Sequence, residues 1–347
     1  MENSKLFDKV YGCLVGGLIG DAMGAKTEGL TWQQIAEKFG YVNEFEGAGT
    51  DDSAIKQILC EAIIANDGYV TADEFATSFL NNRDKYLKLF YVPVRNMLHK
   101  VEADLVNPVD GGYCGSPSSS SAMAISPMGI INACNPAQAA IETFDVAGLI
   151  HSGPSGFCRD GACAIAAAVA EAIKENSTVD SVIEASTAYL HKTSGRVMIE
   201  GINKVLAMAK KLGNCEDFRD WFYDNWTYKV ACDSRETIPA VFALFYLANG
   251  NHEQAVITAA NFGRDSDTIG TMVGAVCGAF QGASAIRSDW VNKIEDAAGK
   301  VVPISKDYGI APIILTDQRE LAKKLSEIAV SKVEKARLQF AELDKIV

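Results

Sequence analysis

The sequence predicts an all-α fold, one compact multi-helix domain around a central metal cleft, and three observations carry that prediction. Glycines recur at every fourth position at Gly12, Gly16, Gly20 and Gly24, and again at Gly270, Gly274, Gly278 and Gly282. Apolar residues elsewhere repeat at helical spacing, and no sustained strand alternation interrupts them. Two acidic clusters far apart in the chain, Gly-Thr-Asp-Asp-Ser at 49–53 and Gly-Arg-Asp-Ser-Asp-Thr at 263–268, each run straight into an apolar segment.

The glycine stripes come first in the chain and set its centre. A glycine inside a helix costs about 1 kcal/mol relative to alanine, so four at fixed spacing need a compensation. Spacing of four keeps them on one slowly turning helix face, where close backbone approach between buried helices supplies it. Packing of the two stripes on each other, or on a shared neighbour, would bring Asp21 and Glu28 near the acidic clusters. Segments 54–65, 161–174, 181–189, 202–212 and 239–247 read as further helices, and the alanine-rich run 162–172 suits tight packing. The Ser-rich stretch 107–121 is too long and polar for a plain connector. Lys300 to Ile304 is a weak strand candidate.

Residues 269–286 carry no charge, yet four glycines and Gln281 make them only weakly hydrophobic, so a buried helix is expected rather than a membrane span. No linker divides the chain before about residue 300, which gives a catalytic domain over 1–300. From Pro312 onward Leu321, Leu325, Ile328, Val333, Ala336, Phe340, Leu343 and Val347 recur mostly at steps of three and four among Lys and Glu. Residues 313–347 therefore form an amphipathic extension, laid across the domain or used at an oligomer interface; monomer and small homo-oligomer both stay open.

The net charge is -12 and no Lys/Arg-rich run occurs, which argues against a nucleic-acid surface. An anionic small ligand stays possible, because bound metal ions invert the local field. Nine cysteines without a Cys-x-x-Cys pair read as free thiols in a reducing compartment, and the N-terminus lacks the apolar core of a signal peptide. A cytoplasmic protein is expected.

Thr50, Asp51, Asp52, Asp265, Asp267 and Thr268 offer six oxygen-bearing side chains and no soft ligand. Two like charges 4 Å apart repel by roughly 4 kcal/mol near a protein surface. If the clusters converge, a hard divalent cation or a pair removes that cost, and all-oxygen ligation is what magnesium or manganese prefers. Either cluster alone would serve as an ordinary helix N-cap, and capping is compatible with ligation. Glu28 is a solvated loop charge or a mobile acid/base above the metals. Asp21, inside an apolar helix, needs a hydrogen-bond partner. Four histidines with no paired spacing give a zinc hydrolase little support, and His151 alone reads as structural or ligand-touching. Neither Gly-x-x-x-x-Gly-Lys-Ser/Thr nor Gly-x-Gly-x-x-Gly is present, and no nucleophile elbow occurs. Ser118–Ser121 is either flexible or a set of donors for phosphate or ribose oxygens.

These residues together resemble the ADP-ribosylglycohydrolase family. The resembling elements are Gly-x-x-x-Gly-x-x-x-Gly-Asp-Ala-x-Gly at 12–24 with Glu28, then Thr50-Asp51-Asp52, Ala122-Met123, Pro127-x-Gly129, His151 and Ile238-Pro239-Ala240. The last is Asn261-x-Gly263-x-Asp265-x-Asp267-Thr268 with its glycine helix and Trp290, so family order holds over roughly 9–290. The resemblance implies an all-α domain with two Mg2+ (or Mn2+) held by Thr50, Asp51, Asp52, Asp265, Asp267 and Thr268. It implies substrate contacts from Ser116, Ser119, Met123 and His151, with the Ser-rich loop and His151 holding the diphosphate and ribose. The implied reaction is hydrolysis at the anomeric carbon of an ADP-ribosyl group on protein or a small acceptor, with Glu28, Asp51 or Asp52 managing the proton. A hydrolase of a small nucleoside-like or glycoside substrate, or a non-catalytic ADP-ribose-binding protein, is the alternative. Three departures stand out: Arg264 where the family often has glycine, Ala124 where it usually has arginine, and serines replacing an Asn-Gly pair before Met123. On this reading Arg264 supplies the ligand with a charge that Ala124 does not.

Overall fold

A computed structural model describes residue 2, residues 4–302 and residues 313–347. Among these residues lie seventeen α-helices and one two-stranded antiparallel sheet. The first group is α1 (Lys5–Gly24), α2 (Trp32–Phe39), α3 (Asp51–Ala65), α4 (Ala72–Asn81), α5 (Arg83–Tyr86) and α6 (Val92–Glu102). After the Ser-rich loop come α7 (Ser126–Ile131), α8 (Pro136–Val146), α9 (Phe157–Ala172), α10 (Val179–Ala188), α11 (Arg196–Leu212) and α12 (Cys215–Asn225). The last group is α13 (Ser234–Leu247), α14 (His252–Phe262), α15 (Ser266–Gln281), α16 (Ser288–Ala297) and α17 (Gln318–Leu343). The fold is all-α, and the sheet is only Val301–Val302 against Ile313–Ile314. The strand expectation is met at Val301 and Val302; its last two positions lie outside the described residues.

The two glycine helices, α1 and α15, pack on each other antiparallel at the centre. A Cβ on Gly20 would sit 2.0 Å from the Gly270 carbonyl oxygen, and one on Gly274 would sit 2.3 Å from that of Gly16. At the far end a Cβ on Gly278 would come 1.9 Å from the Gly12 carbonyl. Backbones this close admit no side chain, which is the compensation the glycine spacing demands. The antiparallel register puts the C-terminal end of α1 beside the N-terminal end of α15. There a Cβ on Gly24 would lie 2.4 Å from both N and Cα of Asp267.

Around this pair the alanine-rich α9 packs against α7, α8, α10 and α15, with every residue from Ala162 to Val169 buried. Pro239 lies inside α13, where it cannot donate to the carbonyl one turn earlier. That carbonyl, on Arg235, instead accepts the Trp226 indole N–H at 2.9 Å. The uncharged stretch 269–286 is not one helix: α15 stops at Gly282, whose φ of +86° ends it. Among the described residues no helix is long and apolar enough to cross a membrane.

The C-terminal extension divides in two. Leu321, Ala322, Leu325, Ser326 and Ala329 of α17 are buried on the body, against α1, α3 and α7. From Val333 on, its apolar residues are exposed, Phe340 at 66% and Leu338 at 69%. The nine cysteines are free, five of them buried.

Replacing Gly278 by alanine forces the Gly12 and Gly278 backbones apart, and we expect a loss of about 3 kcal/mol in stability. Denaturant unfolding of the purified protein measures it; an unchanged midpoint would show that the helix contact is looser than described.

Candidate active site

Both acidic clusters sit at helix starts, and the glycine packing brings the two starts together. Thr50 is the N-cap of α3, its hydroxyl accepting from the Asp52 N–H at 3.3 Å, so Asp51 and Asp52 occupy the first turn. Asp265 is the residue before α15, and the Asp267 side chain accepts the Thr268 N–H at 2.8 Å. Helix N-termini favour anionic groups through their free N–H groups and dipole. Glu28 arrives on the loop after α1. That loop is clamped to the second cluster by Gly29 N–H on the Arg264 carbonyl and Arg264 N–H on the Leu30 carbonyl, both at 2.7 Å. Behind it the Thr27 and Ser266 hydroxyls meet at 2.9 Å.

The result is a cleft of about 220 Å³ lined by Glu28, Asp51, Asp52, Asp265, Asp267 and Thr268, with Tyr91, Ser119, Met123 and Cys232 on its other side. Carboxylate oxygens of Glu28, Asp265 and Asp267 lie within 4.8 Å of one another. Oδ1 of Asp52 and Oδ2 of Asp265 are buried without a hydrogen-bond partner. Burial pushes the Asp51 carboxyl up to about 7, helped by the charges of Glu28 and Asp21. Burial raises Asp52, Asp265 and Asp267 far above the usual carboxylate range, and their neighbours' charges add to it. Orphaned buried oxygens in a crowded all-oxygen donor set fit a hard divalent cation, which would satisfy them and cancel their repulsion.

Asp21 stays below this cleft. Its carboxylate accepts from Thr50 N at 3.0 Å, Thr50 Oγ1 at 2.9 Å, Ser53 N at 3.1 Å and the Ser53 hydroxyl. It therefore takes the structural, loop-holding role. Gly49, at φ +94°, permits the approach, since a Cβ there would stand 2.7 Å from Asp21 Oδ2.

The serine loop is ordered rather than free. The Ser118 carbonyl accepts the Ser234 hydroxyl at 2.6 Å, and the Ser119 hydroxyl donates to the Cys232 carbonyl at 3.1 Å. Ser119 lines the cleft, whereas Ser116 is not in its lining and hydrogen-bonds to the Tyr91 side chain. His151 lies behind the loop: Nδ1 meets the Ser121 hydroxyl at 2.7 Å and Nε2 the Ser118 hydroxyl at 3.1 Å. Burial holds its pKa down near 3, so it is a neutral ring that orients serines. His151 thus stands behind the cleft lining rather than in it.

Arg264 also differs from expectation. Its guanidinium grips the fully buried Glu236 at 2.7 and 2.9 Å and donates to the Tyr228 carbonyl at 2.6 Å. The charge is committed to this pair rather than offered among the carboxylates. Ser120, within the serine run offered as a donor set, is in the lining; sequence reasoning did not find Tyr91, Leu89 and Cys232, which complete it, because single residues in unremarkable contexts gave no signal.

Two outcomes follow from this electrostatic arrangement. Arg264→Ala would strand a buried carboxylate and cost about 3–5 kcal/mol of stability, measured by denaturant unfolding; a loss below 1 kcal/mol would contradict the lock. A carboxyl raised on folding opposes folding once ionised, so the contribution is full below an unfolded pKa of about 4 and is lost as pH rises through about 7. The melting temperature in EDTA should therefore fall across that window, and added Mg2+ at pH 8 should restore it.

The sequence pattern of the ADP-ribosylglycohydrolase family matches residues 2–328, further than motif resemblance reached and through the buried half of α17. The chain is 24% identical over 308 residues to the uncharacterised protein YegU of Escherichia coli (strain K12), covering 80% of this chain and 89% of YegU. It is 23% identical over 307 residues to the ADP-ribosyl-[dinitrogen reductase] glycohydrolase of Rhodospirillum rubrum, covering 85% and 93% of the two chains. With the mouse ADP-ribosylhydrolase ARH3 it shares 24% over 333 residues, covering 84% and 89%. A solved chain from an ADP-ribosylglycohydrolase-related protein complex matches the fold with a TM-score of 0.67 at 19% identity, covering 94% of this chain and 99% of that one. This chain belongs to the ADP-ribosylglycohydrolase family, a family of enzymes that hydrolyse glycosidic bonds.

Proposed function

We propose that the protein is a divalent-metal-dependent hydrolase that cleaves the bond between the anomeric carbon of an ADP-ribosyl group and a protein or small acceptor. The observation that carries this reading is the convergence of both acidic clusters on one cleft, with buried oxygens of Asp52 and Asp265 left without partners. Thr50, Asp51, Asp52, Asp265, Asp267 and Thr268 would hold two Mg2+ or Mn2+ ions, and Glu28 stands close enough to Asp265 and Asp267 to join them. Bound there, such ions would orient ribose hydroxyls and make a water more acidic. The family relation to the Rhodospirillum rubrum glycohydrolase and mouse ADP-ribosylhydrolase supports the substrate class.

This chain's own side chains do the rest. The cleft, at about 220 Å³, is below the ~300–1,000 Å³ that encloses a drug-sized ligand, so it suits one sugar with the remainder outside. His151 fixes the loop from behind through Ser118 and Ser121, so that Ser119 and Ser120, with Tyr91, line the cleft where the oxygen-rich part of the substrate would lie. Water adds to the anomeric carbon as the bond to the acceptor breaks. Glu28, Asp51 or Asp52 takes the proton from that water, and passing it on lets the acceptor leave protonated and returns the carboxylate to its starting state. Nine free thiols fit a cytoplasmic setting.

Incubation with ADP-ribosylated peptides of defined linkage tests the reading. We expect release of free ADP-ribose with Mg2+ or Mn2+ and none in EDTA. Asp51→Ala and Asp265→Asn should each cut the rate at least about a hundredfold, comparable to loss of a charge-stabilising or acid–base group. Turnover that persists in EDTA, or in both variants, removes the proposal; tight ADP-ribose binding without turnover would make the protein a binder.

A further inference from the structure

One cation is buried beneath the carboxylates, where a glycine leaves room for it among three helices. Lys56 lies on α3 one turn after Asp52 and is only 5% exposed. Its ammonium donates to the Thr271 hydroxyl at 2.9 Å, and Thr271 lies one turn after Asp267 on α15. On α1 it meets Gly17, one turn before Asp21: a Cβ there would come 2.9 Å from Nζ. Gly17 falls outside the four-step stripe; a Cβ there would also come 3.1 Å from the Thr271 carbonyl oxygen, so its missing side chain serves the contact with α15 and leaves space for the ammonium. Three helices thus meet at one positive charge, each from a position one helical turn away from Asp21, Asp52 or Asp267.

Taking a lysine out of water costs several kcal/mol, and a methionine or leucine would fill the volume without that cost. The charge is tolerated where a negative field offsets it, and the positive field of Lys56 acts on both Asp21 and Asp52.

We propose that Lys56 is a resident counter-cation of the carboxylate layer, stabilising the ion-free cleft and weakening its hold on divalent ions. The second half rests on reading the cleft as a metal centre; the first does not. Lys56 touches no substrate and is a positioning residue.

Two measurements on full-length protein test this. In EDTA at pH 7.5, Lys56→Met should lower the melting temperature by about 5 °C. Asp52→Asn should then raise it more in the Lys56→Met background than in the parent, because the two charges are coupled. An unchanged melting point, or the same gain in both backgrounds, overturns the proposal. If Lys56→Met does not fold, a folded Lys56→Met/Asp52→Asn double variant supports it, and a double variant that also fails to fold assigns Lys56 to packing. Calorimetric Mn2+ titration should show about tenfold tighter binding to Lys56→Met, the size expected from removing one nearby like charge. Equal affinity overturns the second half, while no binding by either protein removes the metal reading and leaves the melting cycle to judge Lys56.

Discussion

Backbone-to-backbone contact between α1 and α15 is the constraint from which the rest of the molecule follows. Because Gly12, Gly16 and Gly20 meet Gly278, Gly274 and Gly270 with no room for a Cβ, the two helices have a single register. Sliding either helix by one residue would drive side chains into carbonyl oxygens. The same register carries Gly24 to the backbone of Asp267 and so fixes one acidic helix start against the end of the other glycine helix. The loop after α1 then has a fixed point of departure, and its hydrogen bonds to Arg264 bring Glu28 over Asp265. The cleft is therefore a consequence of packing many residues away from it.

That rigidity explains how so many acids persist in one volume. A flexible cluster would relieve like-charge repulsion by turning its carboxylates to solvent. Here Asp52, Asp265 and Asp267 start helices whose positions are set by buried backbone, so burial, with repulsion adding to it, raises their pKa values instead of moving them. Burial raises the Asp21 carboxyl as well, while its hydrogen bonds to Thr50 and Ser53 pull the other way and hold the first cluster in place. Positive charge from outside and positive charge from within are the two ways to settle what remains.

Much of this was legible in the sequence, and the unequal legibility has a physical basis. The glycine stripes and the Thr-Asp-Asp and Asp-x-Asp-Thr clusters are local patterns whose spacing states a helix face or a helix start. Short amphipathic helices such as α4, α6 and α14 carry few apolar residues each and left little periodic trace. The serine run read equally as flexible or as a set of donors, and Ser118 to Ser121 are buried, because His151, Cys232, Ser234 and Thr237 come from distant segments to satisfy their hydroxyls and carbonyls. Composition cannot announce partners that only the fold supplies. The same holds for Tyr91 and Cys232 on the cleft wall.

Arg264 shows how a departure from family pattern can be absorbed without touching the reacting centre. Its φ of +64° is a left-handed conformation that costs a residue with a Cβ about 1–2 kcal/mol, which is why glycine suits that turn. The arginine offsets the strain by binding Glu236, whose other interaction is the Tyr228 N–H at 2.6 Å. Arg264, Glu236 and Tyr228 thereby join the second acidic cluster, the start of α13 and the segment leading to Cys232. The wall facing the carboxylates is thus braced by an ion pair where a glycine turn would have left it to loop packing alone. A charge that the sequence reading offered to a ligand is spent instead on bracing the segment that carries Cys232 to the wall of the cleft.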